Sequence, residues 1–182
     1  MKTSTVALLV AASLLVTPAA FAASPDFNYV EGGYTKLDFD NSNFKPDGFK
    51  VSGSASVSHN LYLNAAYTDA SDGVDYNHLS LGLGYRLSAA SNTDVYGMAS
   101  YEEVERGNFD DNGYGLTAGV RSFITRNIEL DGGLSYIDID KNDETYLNLA
   151  VSYSITPRAA VNLAYRTSDD TDMITLSGRY SF

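Results

Sequence analysis

Two histidines, His59 and His78, and no cysteine limit the chemistry this chain can carry. Without a thiol there is no disulfide, no thiolate nucleophile and no cysteine metal site. His78 is the histidine with acids near it, Asp72 and Asp75 before it and Asp110-Asp111 further on. Paired carboxylates beside a His–Asp couple can activate water against a peptide bond. Ser80 follows His78 by two residues and shares its face if the backbone alternates, which is the minimum for serine acyl transfer. No third group stands where it would orient that histidine. His59-Asn60 reads as a solvated turn. The run from Asp138 through Asp140, Asn142 and Asp143 to Glu144 sets oxygen ligands close together. It lacks the central glycine of an EF-hand, so it reads as a solvated acidic loop. The segments holding these acids are about four to eight residues long, too short to exclude water from a substrate. The expectation is therefore no enzyme, no cofactor and no metal.

The elements that position these residues follow a period of two, the signature of strands with unlike faces. The last residues show it well. Ile174, Leu176, Gly178, Tyr180 and Phe182 alternate with Met173, Thr175, Ser177, Arg179 and Ser181. Residues 49–58 set Phe49, Val51 and Val57 against Lys50, Ser52 and Ser58. The pattern recurs ten times, at residues 27–39, 49–58, 61–68, 78–87, 95–102, 114–121, 128–136, 146–153, 161–166 and 172–182. Residues 40–47, 69–75, 106–112, 138–143 and 168–171 read as loops. Shorter turns fall near His59, at 89–93, at 125–127 and at Thr156-Pro157.

Residues 1–22 read as an export signal. Lys2 gives the positive start, Val6 to Val16 the apolar stretch, and Ala20-Phe21-Ala22 the small-residue cleavage site. The mature domain is then 23–182. It carries 11 basic and 23 acidic residues, a net charge of −12, which argues against nucleic-acid partners. Mean hydropathy is −0.17 and the mature part holds no apolar run long enough for a spanning helix. A membrane barrel has the same average, because half of each strand faces a polar interior.

Three features favour such a barrel over a soluble sandwich. The strand charges fall on the set opposite the apolar residues: Glu31, Lys50, Arg86, Glu102, Arg121, Glu129, Asp131, Arg166 and Arg179. With the apolar set outward, these line a lumen as candidate ion pairs, and Tyr29, Tyr62, Tyr96 and Tyr146 help fill it. Leu149 faces lipid on this reading and Asn148 the lumen. Next, Tyr34, Tyr67, Tyr101, Tyr136 and Tyr165 recur at gaps of 33, 34, 35 and 29 residues, one per hairpin. Finally, these five form one aromatic girdle, and Tyr85, Tyr153, Tyr180 and Phe182 the other. The expected fold is all-β: a transmembrane, antiparallel, up-and-down barrel of ten strands, with eight as the alternative. It would be a monomer in the bacterial outer membrane, among lipid and lipopolysaccharide, with a plugged interior, short acidic outer loops and a structural or surface-interaction role. A narrow small-solute pore is the alternative, and a rim-sited hydrolase the next. The terminal aromatic Phe182 is the expected signal to the barrel assembly machinery.

The run Asn28-Tyr29-Val30-Glu31-Gly32-Gly33-Tyr34 resembles the opening of a family of small outer-membrane barrels from xanthomonads. Gly32-Gly33-Tyr34 and the closing Tyr180-Ser181-Phe182 are similar to the OmpX and OmpA barrels. The resemblance implies an outer-membrane location, shedding in vesicles, and links to biofilm or host contact. It implies no settled activity, and no functional residue is carried over from it.

Overall fold

The computed structural model describes residues 24–39, 44–107, 109–140 and 142–182. The export signal read at 1–22 lies outside the described residues. Ten strands follow in order: β1 (Tyr29–Phe39), β2 (Asp47–Ser56), β3 (Leu61–Ser71), β4 (Asp75–Ala90), β5 (Thr93–Arg106), β6 (Phe109–Phe123), β7 (Ile128–Ile139), β8 (Asn142–Ser154), β9 (Ala159–Thr167) and β10 (Thr171–Ser181). Each pairs antiparallel with its sequence neighbours, and β10 returns to β1, so the sheet closes into a barrel. Closure removes the two unpaired edges that lipid would not tolerate. The closing seam runs from Tyr29 opposite Ser181 to Phe39 opposite Thr171.

The apolar set faces out. Val30, Leu63, Leu83, Leu116, Leu163 and Leu176 are each about half exposed, which in water would be unfavourable and in lipid is the stable arrangement. Inward residues alternate with them, and two inward glycines are shaped by this. A Cβ on Gly84 would lie 2.1 Å from the Tyr62 ring, and one on Gly119 would lie 2.6 Å from the Tyr96 ring. These glycines sit directly across the ladder from those tyrosines, so the rings can lie flat over bare backbone.

The strand ends differ from the sequence reading. β3 continues through Ser71 and β4 begins at Asp75, leaving three residues where seven were expected. β5 and β6 likewise continue to Arg106 and from Phe109, β7 reaches Ile139, and β10 begins at Thr171. The acidic stretches are therefore mostly paired hairpin arms rather than loops. Polar residues can hold a ladder in water as well as in lipid, provided the turn is tight. Positive φ at Gly73 (70°), Gly107 (61°) and Asp140 (55°) supplies such turns. At the other end, β1 begins at Tyr29. Phe27 and Asn28, expected in the strand, belong instead to a segment folded into the barrel mouth.

Candidate functional site: the lumen and its rims

Three layers occupy the interior. In the layer nearest the two chain termini, Arg179 lies opposite Glu31 across the closing seam, and its Nε donates to Glu31 Oε2 at 2.7 Å. Its Nη1 donates to Glu129 Oε1 at 3.1 Å. Arg121 reaches that same oxygen at 2.7 Å and Asp131 at 3.7 Å. Arg86 pairs with Asp94 at 3.3 Å. The spare carboxylate lone pairs are filled by Asn162 and Ser177 on Glu31, Ser88 on Asp94 and the Tyr96 hydroxyl on Asp131. Arg121 Nε is the one donor of this layer that is buried without a hydrogen-bond partner among the described residues; the other charges are paired as a buried charge layer requires. Asp94 was not among the expected luminal charges. Its place beside a turn hid it, although its two-residue offset from the inward Tyr96 carried the signal.

The segment 24–28 seals this layer from below. Phe27 is 3% exposed, with its ring between the Arg86 and Arg121 guanidinium groups at 4.8 and 4.7 Å and against Tyr62 at 4.7 Å. Arginine stacks well on an aromatic face, being weakly hydrated and planar. Arg86 also donates to the Pro25 carbonyl at 3.3 Å, and Arg121 to the Asp26 carbonyl at 3.0 Å. Asn28 ties the segment to the wall, its Oδ1 accepting from the Ser56 amide. Tyr29 then stacks under Arg179 at 4.5 Å.

The middle layer is organised around Glu102. His78 Nε2 lies 2.8 Å from its Oε2, while Ser80 and Ser100 donate to Oε1 at 2.9 and 2.5 Å. The structure thus gives His78 a luminal glutamate partner rather than Asp72 or Asp75. Ser80 donates to that glutamate rather than to His78, so the serine and the histidine do not form a nucleophile–base couple. Two further expected ion-pair residues, Lys50 and Arg166, make no salt bridge among the described residues. Arg166 stacks on Tyr146 at 3.8 Å, and its buried Nε has no hydrogen-bond partner. Both cations line a cavity of about 270 Å³.

The outer layer holds an apolar cluster among charged side chains such as Arg106 and Glu144. Leu37, Ala70, Tyr76 and Met173 form a buried cluster, with Phe39, Phe44 and Val104 against it. The Arg106 guanidinium covers Phe44 at 4.3 Å. Burial pushes the Tyr76 phenol up to about 12, so it stays neutral at ordinary pH. Beside this cluster a second cavity, of about 640 Å³, opens at the outer mouth.

The outer girdle is tied to acids and amides around it. The Tyr34 hydroxyl bonds Asp47; Tyr67 reaches Asn77 at 3.1 Å, Tyr101 reaches Glu103 at 3.0 Å, and Tyr165 reaches Asp172 at 2.8 Å. Tyr114, not expected in the girdle, joins it by donating to Asp138 at 3.1 Å and packing beside Tyr136. At the inner rim Tyr85, Tyr153, Tyr180 and Phe182 are all exposed. The Phe182 amide donates to the Asn28 carbonyl at 3.2 Å, extending the seam to the last residue.

The sequence matches the outer membrane protein beta-barrel domain family over residues 6–182. No curated protein matches it. Solved structures share the fold at low identity. The KdgM porin is 14% identical, with a TM-score of 0.50 over 84% of this chain and 99% of that one. The same porin in complex with disordered oligogalacturonate is 12% identical, with a TM-score of 0.51 over 85% and 99%. The COG4313 outer membrane channel from Pseudomonas putida F1 is 10% identical, with a TM-score of 0.53 over 92% and 100%.

Proposed function

Since the chain belongs to the outer-membrane protein β-barrel family, we propose that it is a non-enzymatic surface barrel, closed at the periplasmic end and open toward the cell exterior. Its home is the bacterial outer membrane. The observation that carries the closed-end reading is Phe27 lodged between Arg86 and Arg121 beneath a layer of ion pairs. A peptide segment and a charge network at one depth leave little room for solute in a ten-stranded barrel, which is narrow to begin with. The role is then surface interaction through the outer hairpins rather than bulk transport. Wild-type protein in planar bilayers should remain closed. Phe27→Gly should raise the frequency of open events, since it removes the ring but leaves the strands intact. Steady wild-type conductance equal to that of Phe27→Gly would overturn the closed-end reading.

A small-solute channel is the second reading. Likeness to a porin and to an outer-membrane channel supports it, as do the two cavities stacked toward the exterior. The same current measurement separates the two.

Lipid contacts follow from the apolar outer face. Lipopolysaccharide is the expected neighbour of the outer girdle, with divalent cations bridging its phosphates to the acids above the tyrosines. The assembly machinery is the expected reader of Phe182. Deleting Phe182 should lower the folded fraction in outer membranes and leave detergent refolding unchanged. Normal membrane levels would remove it as an assembly signal. The closed seam leaves no free edge, which favours a monomer.

A further inference from the structure

The luminal cations divide into two sets. Arg86, Arg121 and Arg179 each meet a carboxylate within salt-bridge distance. Lys50 and Arg166 do not, among the described residues, yet they line one cavity and lie close enough to repel one another. Neither acid that attracts Lys50 relieves it at contact range: Glu31 is taken by Arg179, Asn162 and Ser177, and the Glu102 oxygens already receive His78, Ser80 and Ser100. Toward the mouth, Glu144 is taken by Tyr146 and Ser168. Two confined cations with no carboxylate in contact, Lys50 attracted only at longer range by Glu31 and Glu102, leave an electrostatic deficit that an anion from outside would fill.

We propose that the middle of the lumen binds a small hydroxylated carboxylate between the Lys50 ammonium and the Arg166 guanidinium. The arginine fork matches a planar carboxylate, and lysine adds a point charge. The wall also carries Glu102, held by His78, the Arg121–Asp131 pair, and aromatic and aliphatic side chains; among these, Ser52, Asn64, Thr68, Asn148 and Thr175 add hydroxyls and amides to the same lining. Such groups suit a ligand bearing its own hydroxyls and would go unanswered by a bare hydrocarbon acid. A volume of about 270 Å³ sets the ligand near the lower end of small-molecule sites. Entry is from outside, since His78 and Arg166 line both this cavity and the one at the mouth. The site rests on the outward-open reading above, and its test is independent of current.

Refolded full-length mature barrel is titrated calorimetrically with gluconate, with sorbitol as the neutral match and with inorganic phosphate. Gluconate should bind and sorbitol should not. Losing one charge-assisted contact weakens binding about tenfold or more, so Lys50→Gln and Arg166→Gln should each show that loss. Lys50→Arg should retain binding, and Lys36→Gln, at an exposed outer-face cation, should change nothing. Migration on gels before and after boiling reports folding for every variant. The proposal fails if folded wild type ignores gluconate, if sorbitol binds equally, or if both glutamine variants keep full affinity. Phosphate binding as tightly as gluconate would overturn the assigned ligand class. A wild-type barrel that conducts but binds gluconate would overturn only the closed-end reading.

Discussion

Below the outer tyrosines β1, β7 and β10 send polar side chains inward and apolar ones outward; above them the same strands do the reverse. β10 shows the change within a few residues. Leu176 and Ile174 face lipid while Ser177 and Thr175 face the lumen, and then Asp172 faces out while Met173 joins the buried cluster. β1 repeats it, with Val30 and Tyr34 outward in the membrane and Leu37 inward above it. β7 turns Leu134 and Tyr136 outward but buries Ile137. The backbone alternation is continuous across the boundary; only the solvent changes. In lipid the apolar face is stable outside and the charges must be paired within. In water the apolar face must be covered, so the hairpin arms enclose a small core of ordinary soluble type. One closed sheet thus carries two opposite hydrophobic patterns, with the girdle tyrosines at the switch.

The sharpest test of the membrane half is its internal charge layer. Glu31 and Arg179 face each other across the seam at 2.7 Å. Losing one partner of a buried pair costs about 3–5 kcal/mol, less where water enters. Arg179→Ala should exceed Glu31→Ala, since Arg179 also serves Glu129. The double mutant should cost clearly less than the two losses summed. Additive losses in chemical unfolding from lipid vesicles would mean that the layer contributes nothing through pairing.

Next in size is a charge on the lipid face. Leu63 on β3 is 49% exposed, midway between the girdles. Leu63→Arg should cost about 2–4 kcal/mol, the depth-dependent penalty for arginine near the bilayer midplane.

Much of this architecture was legible in the chain because lipid imposes an unusually strict rule. No charge stands among the outward residues of residues 61–67 or 79–87, and that alone sets the phase of the strands. The seam was legible for the same reason, since Glu31 and Arg179 are the inward charges nearest the two ends. What was not legible lies where that rule lapses. Above the girdle, Asp138 read as loop and Glu103 and Glu105 fell outside every expected strand, because polar residues in a sheet were expected to face inward. The signal was present in Val104 and Ile137, the apolar partners left on the wrong face for a membrane strand. Phe27 was missed differently: a lone aromatic before a strand reads as its first residue, and nothing local shows that two distant arginines will hold its ring. Lys50 and Arg166 could not be separated from the paired cations, because pairing depends on register around the whole barrel.

The smallest expected effect completes the comparison on a single strand. Asp69 lies on the same outward face of β3 as Leu63, two residues past the girdle tyrosine Tyr67, and is exposed. Asp69→Arg places the same guanidinium on the same face, about 20 Å further along the strand at the usual rise per residue. There it is hydrated. It makes no hydrogen bond that the aspartate was making, and its like-signed neighbours are few in a region dominated by acids. The change should stay within about 0.5 kcal/mol, as for most surface substitutions, and added attraction to Asp47 across the β2–β3 ladder end could make it slightly favourable. Unfolding Leu63→Arg and Asp69→Arg side by side in the same vesicles therefore measures the solvent boundary itself. A difference of about 2 kcal/mol or more places that boundary at Tyr67. Equal losses would mean that the outer hairpin arms are immersed in lipid, and that the inversion at the tyrosines does not mark the membrane surface.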